Sequence, residues 1–347
     1  MHDAREERVL AAVEKRRELV DEAIPAEIPV ESPEKLWEAS RHLLDAGGKR
    51  LRPTMLLLAA ETVVDVGPLS RDYRTFPTLD GEPVDLLKAA VGVEVVHTFT
   101  LIHDDIMDDD DLRRGVASVH RAFDTETAII AGDTLYSVAF ELMLEAGGTS
   151  DRRLDALEQL ATTCTRICEG QAMDVDFESR TDVVPDEYLT MIDRKTAVLY
   201  GTSASIPAML VGADEETVAA LERFSREVGQ AFQIHDDVLD LTTPSEKLGK
   251  QRGSDLAEDK QTIITVHARE HGVDVDGLVD ADEPADLEEA EMEAAVTRLN
   301  EAGSIDYARE VADDLVESGK DRLSVLPDNE ARRTLEGIAD YLVEREY

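Results

Sequence analysis

The stretch LIHDDIMDDDDLRRG (residues 101–115) runs from an apolar segment into six aspartates and then two arginines, and FQIHDDVLDL (232–241) repeats its DDxxD spacing. Asp104, Asp105 and Asp108 make the first set; Asp236, Asp237 and Asp240 make the second. Within each set the first and last aspartates are four residues apart, so on a helix they share one face. Like charges at that spacing repel, and apolar neighbours such as Ile102 and Ile234 raise the cost. Such carboxylates call for a counterion. A hard divalent cation fits: Mg²⁺ takes one or two carboxylates, keeps waters and completes its shell with phosphate oxygens. Two such clusters facing each other would clamp a phosphorylated ligand.

Spacing alone is weak. With 39 Asp in 347 residues, a DDxxD arises by chance roughly 0.5 times per chain, and two together about one time in ten. The cations strengthen the reading. GGKRLRP (47–53) gathers Lys49, Arg50 and Arg52, and Arg113 and Arg114 close the first aspartate stretch. Arginine suits bidentate phosphate binding and lysine point-charge neutralisation. Only 9 of the 36 basic residues are lysines, yet the survivors include Lys49, Lys195 in DRKTAVLYG, and Lys250 and Lys260 in LGKQRGSDLAEDKQT. A diphosphate site would require them.

The chain carries 77 acidic residues and a formal net charge of −41. Nucleic acid and anionic membranes would be repelled, so neither is expected as a partner. The charge points to a halophilic host, because at molar salt the Debye length falls to roughly 3 Å and surface repulsion is screened. Disorder is excluded by the 42% of hydrophobic residues, periodically arranged. The N-terminal MHDAREERVLAAVEKRR is charged throughout and reads as no secretory signal. Apolar stretches are interrupted by Glu61, Glu94 and His97, so no transmembrane segment is expected. Cys164 and Cys168, one helical turn apart without nearby histidines, read as reduced core residues. A cytoplasmic location follows.

Positioning these groups falls to helices. Strand signals are nearly absent and most of the chain has helical period. Helices are predicted at 2–22, 33–46, 51–66, 84–109, 125–147, 151–178, 186–212, 214–242, 258–271, 286–302, 304–319 and 331–346, with breakers such as Gly47-Gly48, Gly147-Gly148, Pro185 and Pro327 between them. Segments 66–84 and 272–285 read as exposed loops. No linker-like break divides the chain, which predicts one all-α domain over 1–347.

Six motifs together, GGKRLRP, DDIMDDDDLRRG, GQAMD (170–174), KTAVL (195–199), FQIHDDVLD and GSDLAEDK (253–260), resemble in order those of the trans-isoprenyl diphosphate (polyprenyl) synthase family. The resemblance spans 47–260 and includes archaeal, halophilic geranylgeranyl diphosphate synthases. It implies antiparallel helices around a deep central cavity, in a homodimer. It further implies that Asp104, Asp105, Asp108, Asp236, Asp237 and Asp240 hold about two or three Mg²⁺ ions on the diphosphate of an allylic substrate. Arg113, Lys195 and Lys250 would bind that diphosphate, with Lys260 as a further substrate-binding lysine. Lys49, Arg52, His97 and Arg114 would bind isopentenyl diphosphate. The carbonyls of Lys195 and Thr196 and the side chain of Gln233 would face the carbocation formed when the allylic C–O bond ionises. Two departures stand out: His235 precedes the second aspartate set where Gln or Asn is usual, and Asp259 precedes Lys260 where Gly is common. Asp109, Asp110 and Asp111 read as solvated acidic surface.

The activity so implied is condensation of isopentenyl diphosphate with dimethylallyl, geranyl or farnesyl diphosphate to geranylgeranyl diphosphate for isoprenoid lipids. Farnesyl or geranylfarnesyl diphosphate would be the alternative products. A class-I terpene cyclase shares the metal logic but needs neither GGKRLRP nor two full aspartate clusters, and an acidic helical scaffold leaves the six motifs unexplained. Product length should depend on Phe99 and Thr100. Thr100 is one turn before Asp104 and about 40° off its face, so a small residue there leaves the tail path open. Phe99, about 140° round, is implicated as a floor by the resemblance rather than by geometry, and would otherwise be core.

Overall fold

The computed structural model describes residues 2–245, 252–279 and 288–344, the side chains of 2–5 excepted. The described chain is helical apart from one two-stranded hairpin and isolated bridges. It divides into two compact units, each built from separated segments.

Unit 1 comprises Met1–Cys164, Thr202–Glu222 and Ser324–Gly337. It holds α1 (His2–Glu27), α2 (Glu34–Asp45), α3 (Leu51–Val64), α4 (Leu86–Met107), the short α5 (Val119–Ala122), α6 (Thr125–Glu145) and the start of α7 (Ser150–Phe177). Helix α4 is the spine. It begins where the Asp85 carboxylate accepts from the Lys88 N–H, a side-chain cap for an otherwise orphaned donor. It is apolar nearly all round and packs against α1, α2, α3 and α6, as a helix without a polar face must. Helices α4 and α6 are long and apolar enough to cross a membrane by length and composition, despite the interruptions at Glu94 and His97. Most of α4 is buried inside the fold; α6 leaves Ile129, Ile130, Tyr136 and Leu144 exposed.

The hairpin was not legible. Strands β1 (Leu112–Arg113) and β2 (Val116–Ala117) pair Arg113 with Val116 around Arg114-Gly115, both at positive φ. Two left-handed central residues match the twist of paired strands, but Arg-Gly is not the Asn-Gly or Asp-Gly signal that betrays such turns. Segment 66–84 is also less exposed than expected. Tyr73 and Phe76 are buried and stacked with centroids 5.6 Å apart, and Phe76 bridges to Val84.

Unit 2 comprises Thr165–Gly201, Arg223–Leu323 and Ile338–Tyr347. After the end of α7 come α8 (Pro185–Ile192), a π-helical turn (Asp193–Ala197), the start of α9 (Val198–Val211) and the latter part of α10 (Glu215–Thr242). Then follow α11 (Ser254–Ala257), α12 (Ile263–Glu270), α13 (Glu289–Glu301), α14 (Ser304–Arg322) and the end of α15 (Glu330–Glu344). The uninterrupted helix predicted over 186–212 is thus broken by the π turn. In segment 272–285, Val275 and Leu278 are buried rather than exposed, and its end lies outside the described residues. On α7, Cys164 is buried but Cys168 is exposed, so only the first is a core residue.

Candidate functional site

In unit 1 the aspartates sit where α4 runs out. Asp104 and Asp105 occupy its last turn and Asp108 is its C-cap, with the Asp108 N–H on the Asp104 carbonyl at 2.9 Å. Asp105 is fully buried, and its Oδ2 accepts no hydrogen bond. The turn after α4, with Asp109 at positive φ, brings Arg113 back so that its Nε lies 2.6 Å from Asp105 Oδ1 and its Nη2 2.6 Å from Asp110. Burial raises the Asp105 carboxyl to about 6, with Arg113 opposing. Asp110 is therefore part of the cluster's ion pairing and not merely solvated surface. Asp109 and Asp111 do point outward, both paired with Arg121.

Seven residues and two turns back along α4 lies the cationic group. Arg52 Nη1 is 3.1 Å from His97 Nε2, and Arg114 Nη2 is 3.1 Å from Glu94 Oε1. Arg114 also donates to the carbonyls of Gly47 and Leu43 at 2.8 and 3.0 Å. Lys49 is exposed beside them in sequence. Burial and the neighbouring Arg52 lower the His97 imidazole to about 4, against a raising effect of Glu94. It is neutral at physiological pH. Arg50, grouped with Lys49 and Arg52 by sequence, is turned inward: it bonds Glu94 at 2.6 Å, Asp21 at 2.8 Å and the Leu44 carbonyl at 2.6 Å.

Unit 2 carries the remaining candidates. The π turn bears Lys195 and Thr196. Lys195 Nζ is 2.5 Å from Asp174, and Thr196 Oγ1 is 3.2 Å from Gln233. A Cβ on Gly170 would lie 2.3 Å from the Lys195 nitrogen, and one on Gly229 would lie 2.9 Å from Ala197 Cα. Only glycine lets α7 and α10 approach that backbone so closely. Gln233 also donates to Asp237 at 3.2 Å, and Tyr188 donates to the other Asp237 oxygen. Burial raises the Asp237 carboxyl well above the usual range. Asp236 is half-buried. Asp240 is committed to local structure, since its oxygens accept from Ser254 Oγ at 2.9 Å and the Asp255 N–H at 3.2 Å. Lys260 pairs with Glu258 at 2.8 Å and borders a cavity of about 280 Å³ with Arg180 and Arg269. Lys250 lies outside the described residues.

The carboxylates fit a hard divalent cation. Asp105 has a buried oxygen with no donor, and a cation would compensate the burial that raises Asp105 and Asp237. Among the described residues no three His, Cys, Asp or Glu side chains close a metal cage by themselves.

Comparison with known proteins decides the family. The polyprenyl synthetase sequence profile matches residues 33–298. The chain belongs to the polyprenyl synthetase family. This polyprenyl synthetase is accordingly a prenyltransferase with the all-helical fold of that family. It is 65% identical to a geranylfarnesyl diphosphate synthase of Natronomonas pharaonis, over 98% of both chains. A geranylgeranyl diphosphate synthase of Methanosarcina mazei is 48% identical, over 96% of this chain and 97% of its own. Among solved structures, the geranylgeranyl pyrophosphate synthetase of Geoglobus acetivorans superposes with a TM-score of 0.84 at 42% identity, covering 96% of this chain and 99% of that one.

Phe99 and Thr100 divide between core and open face. Phe99 is buried, edge-on to Tyr136 at 5.3 Å, while half-buried Thr100 bonds the His97 carbonyl at 2.8 Å. Residues that sequence reasoning passed over are Glu94, Tyr188 and Asp174. Glu94 had a visible signal, a lone carboxylate in the apolar run AAVGVEVVHTF.

Proposed function

We propose that this polyprenyl synthetase condenses isopentenyl diphosphate with allylic diphosphates and stops at geranylgeranyl diphosphate. The observation that carries this reading is the pair of adjacent arginines on one hairpin. Arg113 turns to the buried aspartate cluster, while Arg114 turns to a separate cationic pocket with Arg52 and neutral His97. Two diphosphates of different role, one held through metal and one by cations, are what the condensation requires.

Bound Mg²⁺ would supply the charge that stabilises the departing diphosphate. Asp104, Asp105, Asp108, Asp236 and Asp237 would hold it, with Asp240 supporting its cluster through Ser254. Arg113, Lys195, Lys250 and Lys260 would bind the allylic diphosphate. Lys49, Arg52, His97 and Arg114 would bind isopentenyl diphosphate. The carbonyls at the π turn and Gln233 would face the allylic cation, which the isopentenyl double bond attacks before a proton leaves toward the diphosphate. The surrounding apolar helices must exclude water, which would otherwise quench the cation.

Both units would form one synthase domain over 1–347, a reading supported by a family match that runs through segments of both. A homodimer through α6 is supported by its exposed Ile129, Ile130, Tyr136 and Leu144. The net charge supports work in a cytoplasm of high ionic strength. A geranylfarnesyl product is the second reading, favoured by the name of the 65% identical relative. Sizing the products formed from isopentenyl and dimethylallyl diphosphates with Mg²⁺ separates the two.

A further inference from the structure

One buried carboxylate in unit 1 touches three members of the basic cluster. Glu94 is 2% exposed, and its Oε1 meets Arg50 at 2.6 Å, Arg114 at 3.1 Å and His97 Nδ1 at 3.7 Å. Arg50 is in turn locked by Asp21 and the Leu44 carbonyl, in a left-handed backbone conformation with φ 47°. Three guanidinium groups, those of Arg50, Arg52 and Arg114, thus crowd around a single histidine and a single buried carboxylate. Without that carboxylate they would repel one another.

The geometry also fixes the histidine. A guanidinium can only donate, so the Arg52 Nη1 contact at 3.1 Å makes His97 Nε2 the acceptor. In a neutral ring the proton then sits on Nδ1, the nitrogen that faces Glu94. Arg114, 3.5 Å from Nδ1, cannot donate there and is left to Glu94 and the two carbonyls.

We infer that Glu94 is the positioning residue of the isopentenyl diphosphate site: it selects the Nδ1–H tautomer of His97 and so turns Nε2 to Arg52, while it anchors Arg114 through one nitrogen. Arg50 completes the device as the counter-charge that keeps Glu94 ionised inside the fold, which explains why this member of the GGKRLRP cluster faces away from a phosphate role. Burial alone would raise the Glu94 carboxyl, but His97, Arg50 and Arg114 hold it well below the usual carboxylate range.

The inference rests on the two-diphosphate reading, yet one of its tests needs no activity. In ¹⁵N-histidine spectra of the full-length protein, His97 should appear as a single neutral tautomer protonated on Nδ1, and Glu94→Gln should convert it to a mixture or to the Nε2–H form. In turnover assays Glu94→Gln should raise KM for isopentenyl diphosphate about tenfold or more, the scale of one charge-assisted hydrogen bond. KM for the allylic substrate should stay within about twofold, since each tenfold corresponds to about 1.4 kcal/mol that this partner does not lose.

Glu94→Gln leaves buried Arg50 with Asp21 as its one remaining carboxylate partner and could fail to fold. The double variant Glu94→Gln/Arg50→Met removes both charges together, which folded proteins tolerate far better, and it should show the same selective KM rise. An unchanged tautomer and an unchanged KM for isopentenyl diphosphate in a folded variant would overturn the assignment, as would equal rises for both substrates. If wild type consumes neither diphosphate while the tautomer shift occurs as stated, the functional reading fails and the positioning of His97 by Glu94 stands.

Discussion

The guanidinium of Arg113 lies 2.6 Å from the carboxylate of Asp105, although the two residues belong to different elements. The turn that follows α4 creates this contact, with Asp109 at positive φ and the Asp110 N–H on the Asp105 carbonyl at 3.0 Å. Asp105 thereby has the Arg113 guanidinium on one oxygen and no hydrogen-bond donor on the other. Arg114, in the hairpin turn that comes next, reaches Glu94 instead. Charge of both signs is therefore sorted by two adjacent residues.

Loss of a central carboxylate should be severe. Asp104→Ala and Asp237→Ala should each lower kcat/KM by at least ~100-fold, because each removes support for charge on the leaving diphosphate. Asp111→Ala, at an exposed aspartate paired with Arg121, should change it by less than about twofold. Steady-state kinetics with saturating Mg²⁺ checks this, and equal losses at all three positions would mean that the metal site is misdrawn.

His97 sets a pH dependence whose sign can be worked out. The unfolded chain protonates a histidine near about 6.5, whereas the folded ring resists until about 4. Between those values the unfolded state binds more protons, so His97 costs stability as pH falls through that window and has no such effect above it. Asp105, raised to about 6, acts in the opposite sense: its contribution favours the fold at low pH and fades as pH rises. Urea melts of wild type and His97→Gln between pH 7 and pH 4 isolate the histidine. The gap in stability between them should narrow as pH falls; a gap independent of pH would mean that folding does not lower the ring's pKa.

Salt should matter for the whole molecule. At a net charge of −41, dilute buffer leaves self-repulsion unscreened across the surface. The melting temperature should rise steadily as KCl goes from millimolar to molar concentrations. Equal melting temperatures at both ends would remove the halophilic reading.

Product length should respond at two neighbours on α4. Thr100→Phe should shorten the product toward farnesyl, because it fills the face shared with Asp104. Phe99→Ala should lengthen it beyond geranylgeranyl by deleting the ring that abuts Tyr136. Chromatography of dephosphorylated products reads both. Wild-type lengths from Phe99→Ala together with reduced stability would make Phe99 core packing and nothing more.

Much of this was legible along the chain, for identifiable reasons. Helix α4 was visible because its apolar run ends in aspartates that no core would accept unpaired. Most helix bounds fell close to Gly and Pro breakers, but α1 runs on through Pro25 to Glu27, and α12 begins at Ile263 rather than 258. What escaped notice depends on contacts distant in sequence. The π turn at Asp193–Ala197 is shaped by Gly170 and Gly229 on other helices, and nothing in DRKTA announces it. The Arg114-Gly115 hairpin uses an unusual residue pair. Tyr188 shows its purpose only once α10 brings Asp237 to its hydroxyl. Asp240 stood out by spacing, but its contacts with Ser254 Oγ and the Asp255 N–H, fourteen and fifteen residues on, could not be read from it.

The most direct test of the central claim is a single incubation. Purified full-length protein is given labelled isopentenyl diphosphate and dimethylallyl diphosphate in high-salt buffer, with Mg²⁺ or with EDTA, and the dephosphorylated products are sized by chromatography. All-trans products should accumulate at geranylgeranyl, form only with Mg²⁺ and be lost in Asp105→Ala. Undiminished product in EDTA, or no incorporation of isopentenyl diphosphate under any salt or metal condition, would contradict it.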